Sequence, residues 1–140
     1  MANNTYNATV QYAGNHYFIG TPPSGHAIVM EADHERGSGT TPLEMLLVAV
    51  AGCTAYDVQS ILAKKRQDVT DYRVEISGTR REEHPKAFIK LHVKHIVTGR
   101  DISEKALADA IELSETKYCS VGATVKPTAE ITTSYEIIEG

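Results

Sequence analysis

The most constraining feature of the sequence is a long helical segment with a strong start signal and an apolar surface on nearly every side. Thr41-Pro42-Leu43-Glu44 is a capping box with proline at the first helical position. From Leu46 to Ala55 the pattern is apolar nearly all round, which is typical of a buried helix. The pattern continues to about Gln67, a length of roughly 35–40 Å at about 1.5 Å per residue. A chain of 140 residues can hardly cover such a helix, so the pattern favours a second subunit.

The rest of the chain predicts an α+β fold around this helix. Strands are predicted over residues 6–12, 16–20, 26–32, 72–81, 87–97 and 129–138, and a second helix over 101–117. The order is βββ-α-ββ-α-β. No repeat, linker or low-complexity segment divides the chain, so residues 1–140 are expected to form a single domain.

The second helix and the strand before it each have one face that is expected to be buried. Asp101 and Glu104 are spaced as a second capping box. Ile89, Leu91 and Val93 alternate with polar residues, which predicts one buried and one wet strand face. The inner stripe of the helix is expected to contain Ala106, Leu107, Ala110, Ile111 and Ser114.

Charge and apolar patterning exclude several classes of protein. A net charge of −4 argues against a nucleic-acid-binding surface, which would be basic. The longest nearly apolar stretch, Leu46 to Ala51, is too short to span a membrane, and no secretory leader is evident. We therefore expect a cytoplasmic protein in a reducing compartment, where two cysteines are more often free, catalytic or redox-active than a permanent disulfide.

The two cysteines of the chain lie in unlike settings. Cys53 lies in the apolar part of the first helix, and Cys119 lies at the end of the second helical pattern. A thiolate can be oxidised to a sulfenic acid, which a second thiol converts to a disulfide. Two buried structural cysteines are the alternative, because free cysteine is among the most buried residue types.

Other candidate groups do not form a site. His92 and His95 are an odd number of residues apart on a strand, so they face opposite sides and are poor joint metal ligands. His84 precedes a proline in a turn. No zinc signature and no phosphate-binding loop is present, so neither a metal nor a cofactor is expected.

Several segments together resemble the OsmC/Ohr family of osmotically inducible and organic-hydroperoxide-resistance proteins. They are Thr41 to Leu47 with Gly52-Cys53-Thr54, then Glu83-His84-Pro85, then Lys117-Tyr118-Cys119-Ser120, and they look like the OsmC-like branch. The resemblance covers nearly the whole chain. It implies an intertwined homodimer with the first helix at its centre and two sites at the subunit interface.

The same resemblance implies a thiol peroxidase cycle without metal, flavin or haem. Cys53 would attack an organic hydroperoxide, and Cys119 would resolve the resulting sulfenic acid. An external dithiol, lipoyl-linked in better-known members, would reduce the disulfide.

The family also uses an arginine, held by a glutamate, to activate the attacking thiol. Cys53 lies eleven residues beyond Pro42, outside the first turn where the helix dipole favours an anion, so it needs a cation. Arg36 is the first candidate because its loop leads into the helix; the hairpin residues Arg80 and Arg81 are alternatives.

The acidic residues near Cys53 are read differently from the family's glutamate. In the family, the glutamate lies ten residues before the cysteine, and Leu43 occupies that position here. Glu44 lies nine residues before Cys53, on the opposite face of the helix from it, so it is expected to complete the capping box instead. Asp57 follows Cys53 by one turn on the same face of the helix. Its negative charge would disfavour a thiolate at Cys53 unless Asp57 pairs with Arg36 or accepts a hydrogen bond from a backbone N–H.

The sequence thus predicts a cytoplasmic, homodimeric, cysteine-based peroxidase for organic hydroperoxides. The alternative is a non-catalytic or redox-sensing protein that uses the same interface pocket for a fatty or aromatic ligand.

Overall fold

The computed structural model describes residues 4–31 and 37–140. Within these residues the chain forms two compact units, which divide between Leu46 and Leu47. The prediction of a single domain over residues 1–140 stays a prediction.

The first unit contains a three-stranded antiparallel sheet in the order β1-β2-β3. Its strands are β1 (Thr9–Gly14), β2 (Tyr17–Thr21) and β3 (Ile28–Glu31). Gly14, Asn15 and His16 all have positive φ, a conformation that glycine and asparagine tolerate well, and the chain turns here between β1 and β2. The predicted β1 begins three residues too early, at Tyr6 rather than Thr9.

Helix α1 (Pro42–Lys64) begins at the predicted capping box. The Thr41 backbone N–H donates to Glu44 Oε1 at 2.9 Å, and the Glu44 N–H donates to Thr41 Oγ1 at 3.3 Å. The prediction that Glu44 serves the cap is therefore confirmed, since two of the first backbone donors are satisfied reciprocally.

The second unit is built on a mixed sheet in the order β4-β5-β6. Strands β4 (Asp68–Arg80) and β5 (Phe88–Arg100) are antiparallel, and β6 (Glu130–Glu139) pairs parallel to β5. The prediction that Ile89 points inward is wrong, because its side chain is 44% exposed. The pairing shifts by one residue between Thr79 and Arg80, and such a bulge reverses the side-chain alternation at Ile89.

The segment predicted as one helix over 101–117 is divided. Helix α2 spans Glu104–Leu113, a π-helical turn spans Ser114–Tyr118, and a short α3 spans Ser120–Val125. The predicted capping box is wrong: Ser103 caps α2 by accepting from the Ala106 N–H at 3.1 Å, and Asp101 has φ +49°. Ser103 takes this role because a capping side chain has to reach a donor two or three residues ahead.

The core of the second unit lies between α1, α2 and the sheet. Its most buried members are Val58 and Leu62 of α1, Val97 of β5, and Leu107, Ala110 and Ile111 of α2. The predicted inner stripe of the second helix is buried throughout, including Ser114. These elements confirm the predicted α+β class; the intertwined homodimer stays a prediction.

Helix α1 also has an apolar side that remains exposed within the chain. Val48 is 69% exposed and Tyr56 is 79% exposed. The stretch from Leu46 to Ala51 is too short to span a membrane, but α1 as a whole is long and apolar enough to do so, with a mean hydropathy of 1.6 and 22% of that stretch buried. The core helix of a soluble assembly passes the same test, so the expectation of no membrane partner stays a prediction.

Candidate functional site

The structure brings both cysteines and one carboxylate together. Cys53 Sγ, Cys119 Sγ and a carboxylate oxygen of Asp57 all lie within 4.8 Å of one another. Cys53 and Asp57 are one turn apart on α1, so helix geometry places them side by side. Both cysteines are free thiols, Cys119 buried and Cys53 half-buried. The two sulfurs are therefore no more than 4.8 Å apart, whereas they would be about 2.05 Å apart in a disulfide.

Cys119 is positioned by the π-helical turn and by α3. Its N–H donates to the Ser114 carbonyl at 2.8 Å, which closes the π turn. Its backbone is extended, and its Sγ accepts from the Gly122 N–H at 3.2 Å as the N-cap of α3. A Cβ on Gly122 would lie 3.1 Å from this sulfur, so glycine permits the close approach. Cys119 thus lies at the start of a helix as well as at the end of one, which the sequence did not predict.

The pKa of the Cys119 thiol is raised to about 11. Burial is the main cause, and the neighbouring Cys53 and Asp57 add to it, whereas the Gly122 N–H acts in the opposite direction. Burial, and not the negative end of the preceding helix, therefore accounts for most of the raised pKa. At neutral pH Cys119 is protonated and is a weak nucleophile.

Asp57 is held by a buried chain of hydroxyl groups. Ser114 Oγ donates to Asp57 Oδ2 at 2.9 Å, and because that uses the only hydroxyl hydrogen of Ser114, Thr54 Oγ1 is the donor in their 2.8 Å bond. Ser114 is fully buried and Thr54 is 6% exposed. Asp57 is thus held by a side-chain hydroxyl rather than by the backbone donor considered above.

The helical pattern predicts that Ser114 belongs to the inner stripe, but it indicates neither the bond from Ser114 to Asp57 nor the part that Thr54 takes. The available sequence signal is one polar residue within each of two apolar helix faces, Thr54 in the first helix and Ser114 in the second. Such residues need a hydrogen-bond partner if the two faces pack together.

Two cavities of different size adjoin the site. One of about 20 Å³ is lined by Cys119, Thr54, Val50, Val93 and Lys126, and it is large enough for about one water molecule. The other, of about 410 Å³, is open and is lined by Asp57, Tyr56, Ile61, Lys64, Leu113 and Tyr118. An organic molecule fits the larger cavity and not the smaller one.

A second polar pair, which no sequence pattern indicated, lies on the sheet and joins a half-buried tyrosine to a buried histidine. The Tyr72 hydroxyl and His95 Nδ1 are 2.6 Å apart, with the rings stacked. His95 is fully buried, and its Nε2 has no hydrogen-bond partner among the described residues. Burial lowers the pKa of His95 to about 4; burial, and next the charge of Asp57, raise the pKa of Tyr72. His92, by contrast, is exposed and bonds Thr132 and Ser134, so the two histidines face opposite sides as predicted.

The activating arginine is not located. Arg36 lies outside the described residues. Arg81 pairs with Glu83 at 3.6 Å on the surface. Within the described parts of the chain, no arginine forms an ion pair with Asp57, and the role of Arg36 stays a prediction.

Replacing Asp57 with asparagine is expected to lower the pKa of Cys119. The carboxylate charge is one of the causes that raise this pKa, and asparagine keeps the shape and an acceptor for Ser114. The measurement is the pH dependence of Cys119 alkylation in a Cys53→Ser background. Asp71→Asn, an exposed change on β4, is the matched control and should leave the profile unchanged. A higher pKa in Asp57→Asn would contradict the electrostatic assignment.

An α+β scaffold that carries one thiol on its long helix and a second thiol beside it defines a two-cysteine protein. The family model described as OsmC-like protein matches residues 35–134, so the chain belongs to the OsmC-like family, and the resemblance is confirmed. The chain is 43% identical to protein YhfA of Escherichia coli (strain K12) over 131 residues, which are 94% of this chain and 97% of YhfA.

Solved structures extend the comparison. A hypothetical protein from Aquifex aeolicus VF5 is 33% identical, with a TM-score of 0.88 and 99% of each chain covered. An organic hydroperoxide resistance protein from Elizabethkingia anophelis is 12% identical, with a TM-score of 0.69 and 99% of each chain covered. The second likeness shows the fold alone.

Proposed function

We propose that the protein is a cysteine-based peroxidase that reduces organic hydroperoxides through Cys53 and Cys119. The observation that carries this proposal is the approach of two thiols, 66 positions apart in the sequence, to within 4.8 Å in a largely buried site. Membership of a family whose structural relatives include proteins named for organic hydroperoxide resistance supports a redox or peroxide-related function.

The proposed cycle has two steps in the protein. The Cys53 thiolate attacks the terminal oxygen of the hydroperoxide, the O–O bond breaks and the OH group passes to sulfur, so that Cys53 is oxidised to a sulfenic acid. The alkoxide that leaves takes up a proton from water and departs as the alcohol. Cys119 sulfur then attacks the sulfur of this sulfenic acid, and a disulfide and water form. An external dithiol, such as a lipoyl group, reduces the disulfide and is itself oxidised.

The environments of the two thiols support this division of roles. Cys119 is buried, and its pKa of about 11 makes it a poor first nucleophile. The Asp57 carboxylate lies within 4.8 Å of Cys119 Sγ, where it can accept the proton that Cys119 loses during disulfide formation. The large cavity beside Asp57 has apolar side chains on its wall, which suits the tail of an organic substrate.

We retain Arg36 as the proposed cation for Cys53. Its place is supported by the family resemblance and by the need for a positive charge beside a thiolate in the middle of a helix. An Arg36→Gln variant in the peroxide assay, with Arg81→Gln as the control, tests this assignment because Arg81 pairs with Glu83 at the surface.

The protein is expected to remain a dimer at low micromolar concentration. The exposed apolar side of α1, with Val48 69% and Tyr56 79% exposed, needs a covering surface, and a second copy of the chain is the proposed one. Sedimentation velocity is the measurement, and Val48→Glu should shift the equilibrium toward monomer. A monomeric wild type would contradict the dimer and the shared site together.

We place the dimer in the cytoplasm, where its thiols stay reduced.

The proposed activity is tested by counting free thiols. Reduced protein is mixed with tert-butyl hydroperoxide or with a fatty-acid hydroperoxide, and free thiols are titrated after denaturation. Loss of two thiols per chain supports the peroxidase, and an unchanged count supports a non-catalytic binding protein. Among the described residues no arginine forms an ion pair with Asp57, and this observation favours the second candidate.

A further inference from the structure

We propose that Cys53, Asp57 and Cys119 also form a binding site for a divalent metal ion with affinity for thiolates, and that Zn²⁺ is the ion that fits best. The three residues offer two sulfurs and one carboxylate oxygen, which all lie within 4.8 Å of one another. Sulfur and carboxylate ligands together are typical of zinc in proteins. The sequence shows no zinc signature because the ligands come from two distant segments.

The spacing of the donors is close to what the ion requires. Zn²⁺ binds sulfur at about 2.3 Å and carboxylate oxygen at about 2.0–2.2 Å, so tetrahedral donors lie about 3.5–3.8 Å apart. The widest separation in the cluster is about an ångström more than this at most. The three donor atoms therefore have to approach one another by only about an ångström to bind the ion.

The groups around the donors already hold them in place. Ser114 donates to one oxygen of Asp57, which leaves the other oxygen available to a metal ion. Thr54 donates in turn to the Ser114 hydroxyl and fixes its orientation. The Gly122 N–H donates to Cys119 Sγ. Hydrogen bonds of this kind orient metal ligands and commonly support sulfur and carboxylate ligation.

Charge and access favour a cation as the ligand of this cluster. Two metal-bound thiolates and a carboxylate would carry three negative charges, and no lysine or arginine of the described residues makes an ion pair with Asp57. A divalent ion would supply the missing positive charge. The open cavity of about 410 Å³ beside Asp57 provides a path for the ion and room for a water molecule as the fourth ligand.

The experiment is anaerobic titration of the reduced, full-length protein with Co²⁺ and then Zn²⁺. We expect one ion per chain, a thiolate-to-cobalt charge-transfer absorption that Zn²⁺ abolishes, and release of protons at neutral pH as Zn²⁺ displaces them from thiol groups. Protein with both cysteines alkylated should show no such absorption. A wild type that lacks the absorption, or releases no protons, would overturn the proposal whether or not any variant folds.

Variants identify the ligands. Cys53→Ser and Cys119→Ser should each remove most of the charge-transfer absorption, and Asp57→Asn should weaken Zn²⁺ binding at least about tenfold, since even residues that only orient ligands cost about 10–100-fold. Asp71→Asn is the matched control and should bind as the wild type does. Unchanged affinity in Asp57→Asn would overturn the three-donor site.

Zinc binding and peroxide reduction can fail separately. The titration needs no peroxide, so its outcome does not depend on the proposed function. If both proposals hold, bound Zn²⁺ occupies both thiols and slows peroxide consumption, and a chelator restores it.

Discussion

Replacing Cys53 with serine is expected to abolish peroxide consumption. Serine has nearly the same shape as cysteine but cannot accept the peroxide oxygen at neutral pH, so the first step of the proposed cycle is lost. The loss should be at least about a thousandfold, the size seen when a nucleophile is removed from a covalent mechanism. The measurement is the rate of tert-butyl hydroperoxide loss in the presence of an excess of dithiol.

Cys119→Ser is the matched variant and should behave differently. It keeps the attacking thiol, so one peroxide per chain should be consumed rapidly. The sulfenic acid at Cys53 then has no neighbouring thiol to condense with and should be trapped by a sulfenic-acid-specific reagent. If Cys119→Ser blocks the first turnover while Cys53→Ser does not, the two roles are the reverse of those proposed.

Acid is expected to destabilise the protein through His95. Burial lowers the pKa of His95 to about 4, whereas a histidine in the unfolded chain titrates at about 6.5. Above pH 6.5 both states are neutral at this residue and it adds no pH dependence. As the pH falls below 6.5, the unfolded chain binds a proton that the folded protein resists, so the free energy of unfolding decreases until about pH 4.

The expected contribution is about 2 kcal/mol between pH 7 and pH 5, from about 1.36 kcal/mol per pKa unit over that range. Urea unfolding of the wild type and of His95→Asn at both pH values measures it, at one fixed protein concentration. The decrease in the free energy of unfolding from pH 7 to pH 5 should be smaller in His95→Asn than in the wild type by about that amount. His92→Asn, an exposed histidine on the same strand, should retain the wild-type difference. Equal pH dependence in wild type and His95→Asn would show that His95 is not the group responsible.

The sequence predicted the elements well because their signals are local. The capping box at Thr41 and Glu44 is a pattern of four consecutive residues, and it marks the start of α1 within one residue. The stripe of α2 and the alternation of β5 are periodic over a few turns or pleats. The break after Leu113 was missed, because a π-helical turn has no short-range signal distinct from that of an α-helix.

In the candidate site, too, the sequence predicted only the features that are encoded locally. The sequence determined that two thiols exist and that Cys53 and Asp57 share a helix face, because a helix repeats every 3.6 residues. It also indicated the family, through motifs spread over nearly the whole chain, and the match over residues 35–134 confirms that identification.

Only the tertiary structure decided which distant groups meet. It placed Cys119 beside Cys53 and Asp57, joined Ser114 to Thr54 and Asp57, and stacked Tyr72 on His95. These contacts follow from the packing of α1 against the end of α2 and from the pairing of β4 with β5. Burial, which raises the pKa of Cys119 and lowers that of His95, is likewise a property of packed surroundings, and no local sequence pattern encodes it.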